Sequence, residues 1–265
     1  MMLNLLPELK EISRISGWLA QWQWSEAAGG NLSIRLDDIP SELKDLTGGT
    51  PQSLPLATPK LAESYLLVSG SGTRARDIAE DPAAGTGLYR VLPGGQSYVC
   101  LAGNNRPTSE LPSHLAIHHT LLDTRPAHRA VIHTHPPNII ALTHLPEFQD
   151  GRQLSDTLFR MQSEARLILP EGAALLPYHL PGSLELGLAS AEAVRHHFVA
   201  LWRLHGALAT GETLSQAVDY LEIVDKAARI YWTVTSSGRQ PTGMTDEDIH
   251  SALKKFGRWE RFKRS

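Results

Sequence analysis

The sequence predicts one α/β domain spanning residues 1–265, with a mostly antiparallel central β-sheet flanked by helices. Three observations carry that expectation. Strand-like alternation (Leu32, Ile34, Leu36) and helix-like periodicity (Leu214, Val218, Leu221, Val224, Ala228, Tyr231) occur in the same chain. GLYRVLPGGQSYVCLA reads as a hairpin turning at Pro93-Gly94-Gly95. Finally, 265 residues with 42% hydrophobic and 20% charged content can bury a sizeable core, and no repeat or low-complexity segment divides them.

The elements follow in order. Residues 7–23 place Leu9, Ile12, Ile15, Ser16 and Leu19 on one helical side, and SEAAGG ends that helix. NLSIRL is a strand. Residues 37–60, rich in Pro, Gly, Ser and Thr, read as a long surface insertion. SYLLVSGSGT runs from strand into a Gly/Ser turn, and the hairpin comes next. In PTSELPSHLAIHHTLL, Thr108 or Ser109 can cap a helix whose first turn holds Pro112; Leu111, Leu115, His118 and Leu122 share its face. The Ala130–His135 strand, a short helix from Asn138 to about His144, an ARLIL strand and a helix from about Leu184 to His197 come after it. FVALWRLHG is a further strand, and residues 213–235 form the strongest helix of the chain.

Composition removes several function classes. A formal net charge of −3, nearly balanced, argues against nucleic acid. The basic residues near the end (Lys254, Lys255, Arg258, Arg261, Lys263, Arg264) read as a solvated helix face. Cys100 is the single cysteine, so no intrachain disulfide forms and a reducing compartment fits. MMLNLLPELKEI lacks a basic start and a long apolar stretch, and no segment approaches a membrane span. The expected location is cytoplasmic.

Twelve histidines are many for this length, although the pairs His118–His119 and His196–His197 read as structural or exposed. VIHTHPPN is more specific. On a strand, His133 and His135 share a face while Thr134 points away, which supplies two thirds of a metal site. His205 in LWRLHG repeats the context of an apolar strand ending in His and offers a third imidazole. The plainer alternative is that each histidine only tips its strand. Glu110 in PTSELP suits acid/base work and equally suits a helix-start carboxylate favoured by the dipole. Glu164 in QSEARL reads, alone, as solvent-facing. The SGSGT turn could converge backbone N–H groups on an anion, and Asn31 in GGN could donate to a phosphate oxygen. There is no Walker A spacing, no GxGxxG and no GxSxG elbow.

In order, GGNLSIRL, LLVSGSGT, PTSELPSH, VIHTHPPNIIALTH and LWRLHGALATGETLSQAVDYLEIVDKAARI resemble the class II, metal-dependent sugar-phosphate aldolase superfamily. That superfamily also holds pentulose-phosphate 4-epimerases and adducin-like heads. The likeness runs from about residue 15 to 235. It is greatest to the branch that cleaves L-rhamnulose 1-phosphate, through GGNLSIRLDD with the 37–60 insertion, PTSELPSH and PEGAALLPYHLPGSLELG. The resemblance implies a class II aldolase/adducin-like fold and reversible retro-aldol cleavage of a ketose 1-phosphate to dihydroxyacetone phosphate and L-lactaldehyde. It implies one Zn²⁺ per subunit on His133, His135 and His205, with Glu110 as acid/base group and Glu164 as a second proton-transfer group. It assigns phosphate to Asn31, Ser71, Gly72, Thr108 and Ser109, with Gly70 beside them, and implies a homotetramer with active sites at subunit interfaces.

The rivals on this scaffold are fuculose-phosphate aldolases, the epimerases and non-catalytic binding heads. Epimerases carry Asp where Glu110 stands, and binding heads need not keep the three histidines together with Glu110. One departure is Ala28, where the rhamnulose-type enzymes carry a polar Asn.

Overall fold

The computed structural model describes residues 2–148 and 150–263, so Arg264 of the basic run lies outside the described residues. The periodic apolar side of the first segment folds as α1 (Glu8–Gln21), burying Leu9, Ile12, Ile15, Ser16 and Leu19. NLSIRL is β1 (Asn31–Leu36). The Pro/Gly-rich stretch carries a short α2 (Ser41–Lys44) and a two-residue β2 (Gln52–Ser53), and buries Ile39 and Leu43. Then come β3 (Tyr65–Ser69), α3 (Ala75–Glu80), α4 (Pro82–Gly85) and the hairpin β4 (Thr86–Val91) with β5 (Ser97–Gly103). Next are α5 (Leu111–Thr124), β6 (Ala130–Thr134), α6 (Pro137–Leu142), α7 (Gly151–Leu158), α8 (Ser163–Ile168) and β7 (Ala174–Leu176). The chain closes with α9 (Leu184–Ala193), β8 (Val199–Trp202), β9 (Gly206–Gly211), α10 (Leu214–Thr235), α11 (Asp246–Lys255) and α12 (Trp259–Phe262).

Among the described residues the strands form one nine-stranded sheet in the order β2-β5-β4-β3-β1-β6-β9-β8-β7. Every neighbouring pair is antiparallel except β7 with β8, as the hairpin-rich sequence predicts. Alternation sorts the side chains between two cores. Leu32, Ile34, Ile132, Leu201 and Ala209 pack with α1, α6, α7 and α10. Val131, Trp202 and Leu208 face the other way, against Ala116, Ile117 and Leu121 of α5 and Leu186 and Ala191 of α9. Because side chains two apart share a face, Asn31 and Ser33 of β1 and His133 of β6 must also point toward α5. That single consequence of strand geometry builds the site.

Five expectations need correction. Glu110, and not Thr108 or Ser109, is the N-cap of α5, and no side chain caps that helix by a hydrogen bond. ARLIL is not a strand: Ala165, Arg166 and Leu169 are buried at helical spacing, and residues 163–168 form α8. An apolar run of that length fits either period, and the packing side decides. The helix from Leu184 stops at Ala193, with a turn over the residues up to His197. FVALWRLHG is not one strand; β8 ends at Trp202, Arg203–His205 turn, and β9 returns beside it. Arg261 is not on a solvated face, for it pairs with buried Glu171 at 2.5 Å and lies over the Phe198 ring.

Candidate metal centre and substrate pocket

His133 is the penultimate residue of β6, directly opposite Asn31 on β1 and Leu208 on β9. It is 1% exposed and stacks on Trp202, with ring centroids 4.1 Å apart. His135 follows just beyond the strand, where its N–H donates to the Trp24 carbonyl at 2.7 Å. His205 sits in the turn between β8 and β9. That turn is held by Arg203, which donates to the carbonyls of Thr143 and Phe148, and by the Leu204 N–H on Thr143 Oγ1. One nitrogen from each of the three rings lies within 4.8 Å of the others. Glycine is needed where the rings approach the backbone: a Cβ on Gly206 would stand 2.8 Å from His133 Cε1, and one on Gly29 would stand 2.8 Å from His135 Cε1.

The protons decide what this cluster can bind. His133 Nδ1 donates to the Ala207 carbonyl at 3.0 Å, and His135 Nδ1 donates to Glu26 Oε1 at 2.8 Å. In neutral imidazoles both Nε2 atoms are then bare lone pairs, and they face each other at 3.1 Å. Nitrogen ligands about 2.0–2.1 Å from a tetrahedral zinc lie about 3.3 Å apart, so the spacing suits a cation. Burial holds His133 neutral well below the ordinary imidazole range. Burial and then the neighbouring His135 push His205 down to about 4. Three imidazoles on one side of a polar pocket fit a divalent cation.

Glu110 stands at the entry to α5, its N–H donating to Thr108 Oγ1 at 3.3 Å. Its carboxylate oxygens lie 3.7 Å from His133 Nε2 and 3.5 Å from His205 Nε2. Burial raises its carboxyl to about 7, against the opposing hydrogen bond donated by Asn31 Nδ2 at 3.0 Å. A carboxyl that titrates near neutrality can both take and return a proton.

The same pocket, about 130 Å³, is lined by Ala28, Gly29, Gly30, Asn31, Gly70, Ser71, Gly72, Thr108, Ser109, Glu110 and the three histidines. Ten of the eleven site residues expected from sequence therefore meet in one place. Thr73 Oγ1 pins the glycine turn by donating to the Gly70 carbonyl at 2.6 Å, and Ser71 and Ser109 stay exposed at the rim. Glu164 is the exception. It is exposed on α8 and lines a separate groove of about 940 Å³ with Trp22, Trp24, Asn138, Ile168 and residues of α10. Sequence reasoning missed Glu26, which orients His135, and also His114 and Ser33 behind Asn31. A spacing signal existed for the latter: Glu110, His114 and His118 recur at helical steps of four, and Asn31 and Ser33 at a strand step of two.

Residues 10–232 match the family described as Class II Aldolase and Adducin N-terminal domain. A protein of Bacteroides thetaiotaomicron named rhamnulose-1-phosphate aldolase is 32% identical over 248 residues, 92% of each chain. One of Shigella boydii with the same name is 34% identical over 241 residues, 88% of each chain. Among solved structures, a sugar-phosphate aldolase from Thermotoga maritima superposes with a TM-score of 0.80 at 37% identity, covering 89% of this chain and 98% of that one.

Proposed function

The chain belongs to the class II aldolase and adducin N-terminal domain family, and from that premise we propose that it cleaves L-rhamnulose 1-phosphate reversibly to dihydroxyacetone phosphate and L-lactaldehyde. The observation that carries this is the pair of bare Nε2 atoms at 3.1 Å with the Glu110 carboxylate beside them. Relatives named for this substrate, matched over nearly their whole length, supply the sugar.

A divalent cation on His133, His135 and His205, Zn²⁺ in this proposal, would supply Lewis-acid stabilisation of the negative charge left when the C3–C4 bond breaks. Asn31, the turn at Gly70, Ser71 and Gly72, and the hydroxyls of Thr108 and Ser109 hold the phosphate. Glu110 delivers the proton to C3 of the dihydroxyacetone phosphate fragment and removes it in the synthetic direction. Glu164 takes the proton of the C4 hydroxyl in cleavage. Because Glu164 does not line the histidine pocket of its own chain, this role requires that it come from a neighbouring subunit.

A homotetramer supports that arrangement. Tyr178, Leu180 and Leu188, within residues 178–188, are 56%, 69% and 53% exposed, apolar side chains that a partner subunit would cover. Gly182 of that segment lies against the Ser109 carbonyl, at the pocket rim. Sedimentation of Leu188→Asp beside the parent chain tests it: loss of the tetramer is expected, and an unchanged assembly contradicts this face. The unpaired Cys100 agrees with a cytoplasmic setting. Among the described residues no helix is long and apolar enough to cross a membrane. The substrate is tested by cleavage assays on rhamnulose, fuculose and pentulose phosphates. Preference for rhamnulose 1-phosphate is expected; preference for fuculose 1-phosphate refutes the substrate and leaves the chemistry.

A further inference from the structure

Behind the pocket, five polar side chains form one string. Asn31 Nδ2 lies 3.0 Å from Glu110 Oε2, and Asn31 Oδ1 lies 2.6 Å from His114 Nε2. His114 Nδ1 lies 2.6 Å from Ser33 Oγ, which lies 2.8 Å from His118 Nε2. Ser33, His114 and His118 are each 1% exposed or less, so bulk solvent does not reach them.

A string of single hydrogen bonds can run in two directions, and its ends choose one. His118 Nδ1 is buried with no hydrogen-bond partner among the described residues. An orphaned buried N–H is rarer and costlier than an orphaned acceptor, so the His118 proton belongs on Nε2. From there His118 donates to Ser33, Ser33 donates to His114 Nδ1, and His114 is left with its proton on Nε2. That N–H needs an acceptor, which makes the atom of Asn31 facing it the oxygen. The reversed string strands an N–H on His118 and, with Glu110 ionised, sets the Asn31 oxygen against a Glu110 oxygen at 3.0 Å. Both imidazoles are neutral, as their burial requires.

We propose that His114, aligned by Ser33 and His118, is a positioning residue that locks the Asn31 side-chain amide with its NH₂ toward the pocket. The two ends of an amide are nearly the same shape, so packing alone does not orient one. Locked this way, one N–H holds Glu110 and the other meets an anionic oxygen at the Ser/Gly turn. The identity of that anion as a substrate phosphate rests on the proposed function; the lock itself does not.

The test compares His114→Leu, His114→Gln and Ser33→Ala with the parent chain. The Gln side chain reaches the position of the imidazole Nε2 and restores the donor when its N–H₂ faces Asn31 Oδ1, the orientation that lets Asn31 keep its own N–H on Glu110. Inorganic phosphate binding is followed by calorimetry, and KM and kcat are measured with L-rhamnulose 1-phosphate; metal content and melting temperature serve as controls. His114→Leu is expected to weaken phosphate binding and raise KM about tenfold, the scale of one charge-assisted hydrogen bond, with a smaller change in kcat and unchanged metal content. His114→Gln is expected to recover most of both. Ser33→Ala, which frees the tautomer, gives a smaller loss in the same direction and carries the test if His114→Leu does not fold. Parent-like phosphate affinity in Ser33→Ala and His114→Leu, or equal losses in the Leu and Gln variants, overturns the lock. A parent chain that binds phosphate in this pattern but does not cleave the sugar phosphate overturns the substrate reading and leaves the lock standing.

Discussion

The histidine pocket and the groove along α10 differ in the reverse of the order their sizes suggest. The pocket holds about 130 Å³ and the groove about 940 Å³. In the pocket, Glu110 is 5% exposed, faces two imidazoles, accepts from Asn31 and has its carboxyl pushed up to about 7. In the groove, Glu164 is exposed and accepts from its near neighbour Gln162. Reactive character follows from buried polar groups that hold one another in place, and the exposed Glu164 lacks such a setting until something covers it. The contrast also explains why one chain gives Glu110 a complete setting and Glu164 an incomplete one.

The contrast can be broken at graded cost. The largest effect is expected from His133→Ala, which removes the most buried of the three imidazoles. Metal content of the purified protein should fall below stoichiometric, and turnover should drop on the order of a thousandfold or more, because several kcal/mol of charge stabilisation go with the cation. Glu110→Gln should keep the metal and lose about 10²–10⁴-fold in turnover, the usual worth of a positioned acid/base group. Glu164→Gln sharpens the comparison most. A loss of about tenfold or more in kcat is expected if a neighbouring subunit brings it to the pocket, and no change assigns it to solvent.

The smallest effect is on stability. Burial pushes His114 down to about 3, from an ordinary imidazole value of 6.5. Between those values the unfolded chain binds the proton and the folded chain does not. The neutral His114 therefore supports the fold fully above the unfolded value, and that support drains away as pH falls through the window. Each such histidine steepens acid destabilisation by up to about 1.4 kcal/mol per pH unit. Urea unfolding of His114→Leu across the window should show a shallower dependence than the parent chain.

Much of this arrangement is legible in sequence where one period dominates. Residues 213–235 repeat apolar positions over many turns and fold as α10, and strand alternation alone places His133 and His135 on one face. ARLIL is too short for its period to decide between strand and helix. The β8–β9 hairpin was hidden because its turn, Arg203–His205, has no Gly or Pro inside it and instead places Leu204 at φ 61°. His114 and Ser33 carry regular spacings, but their meaning depends on β1 lying under α5, and that pairing is set by the sheet order and not by either segment. Glu26 is harder still. Its contact with His135 spans 109 residues and leaves no periodic trace.

On the proposed function, three imidazoles and Glu110 act around one divalent cation. Cleavage of L-rhamnulose 1-phosphate, measured before chelation, after full removal of metal and after adding Zn²⁺ back, tests it most directly. About one cation per chain in the purified protein, loss of cleavage on its removal, and recovery with the metal are expected. Cleavage that persists in fully metal-free protein contradicts it.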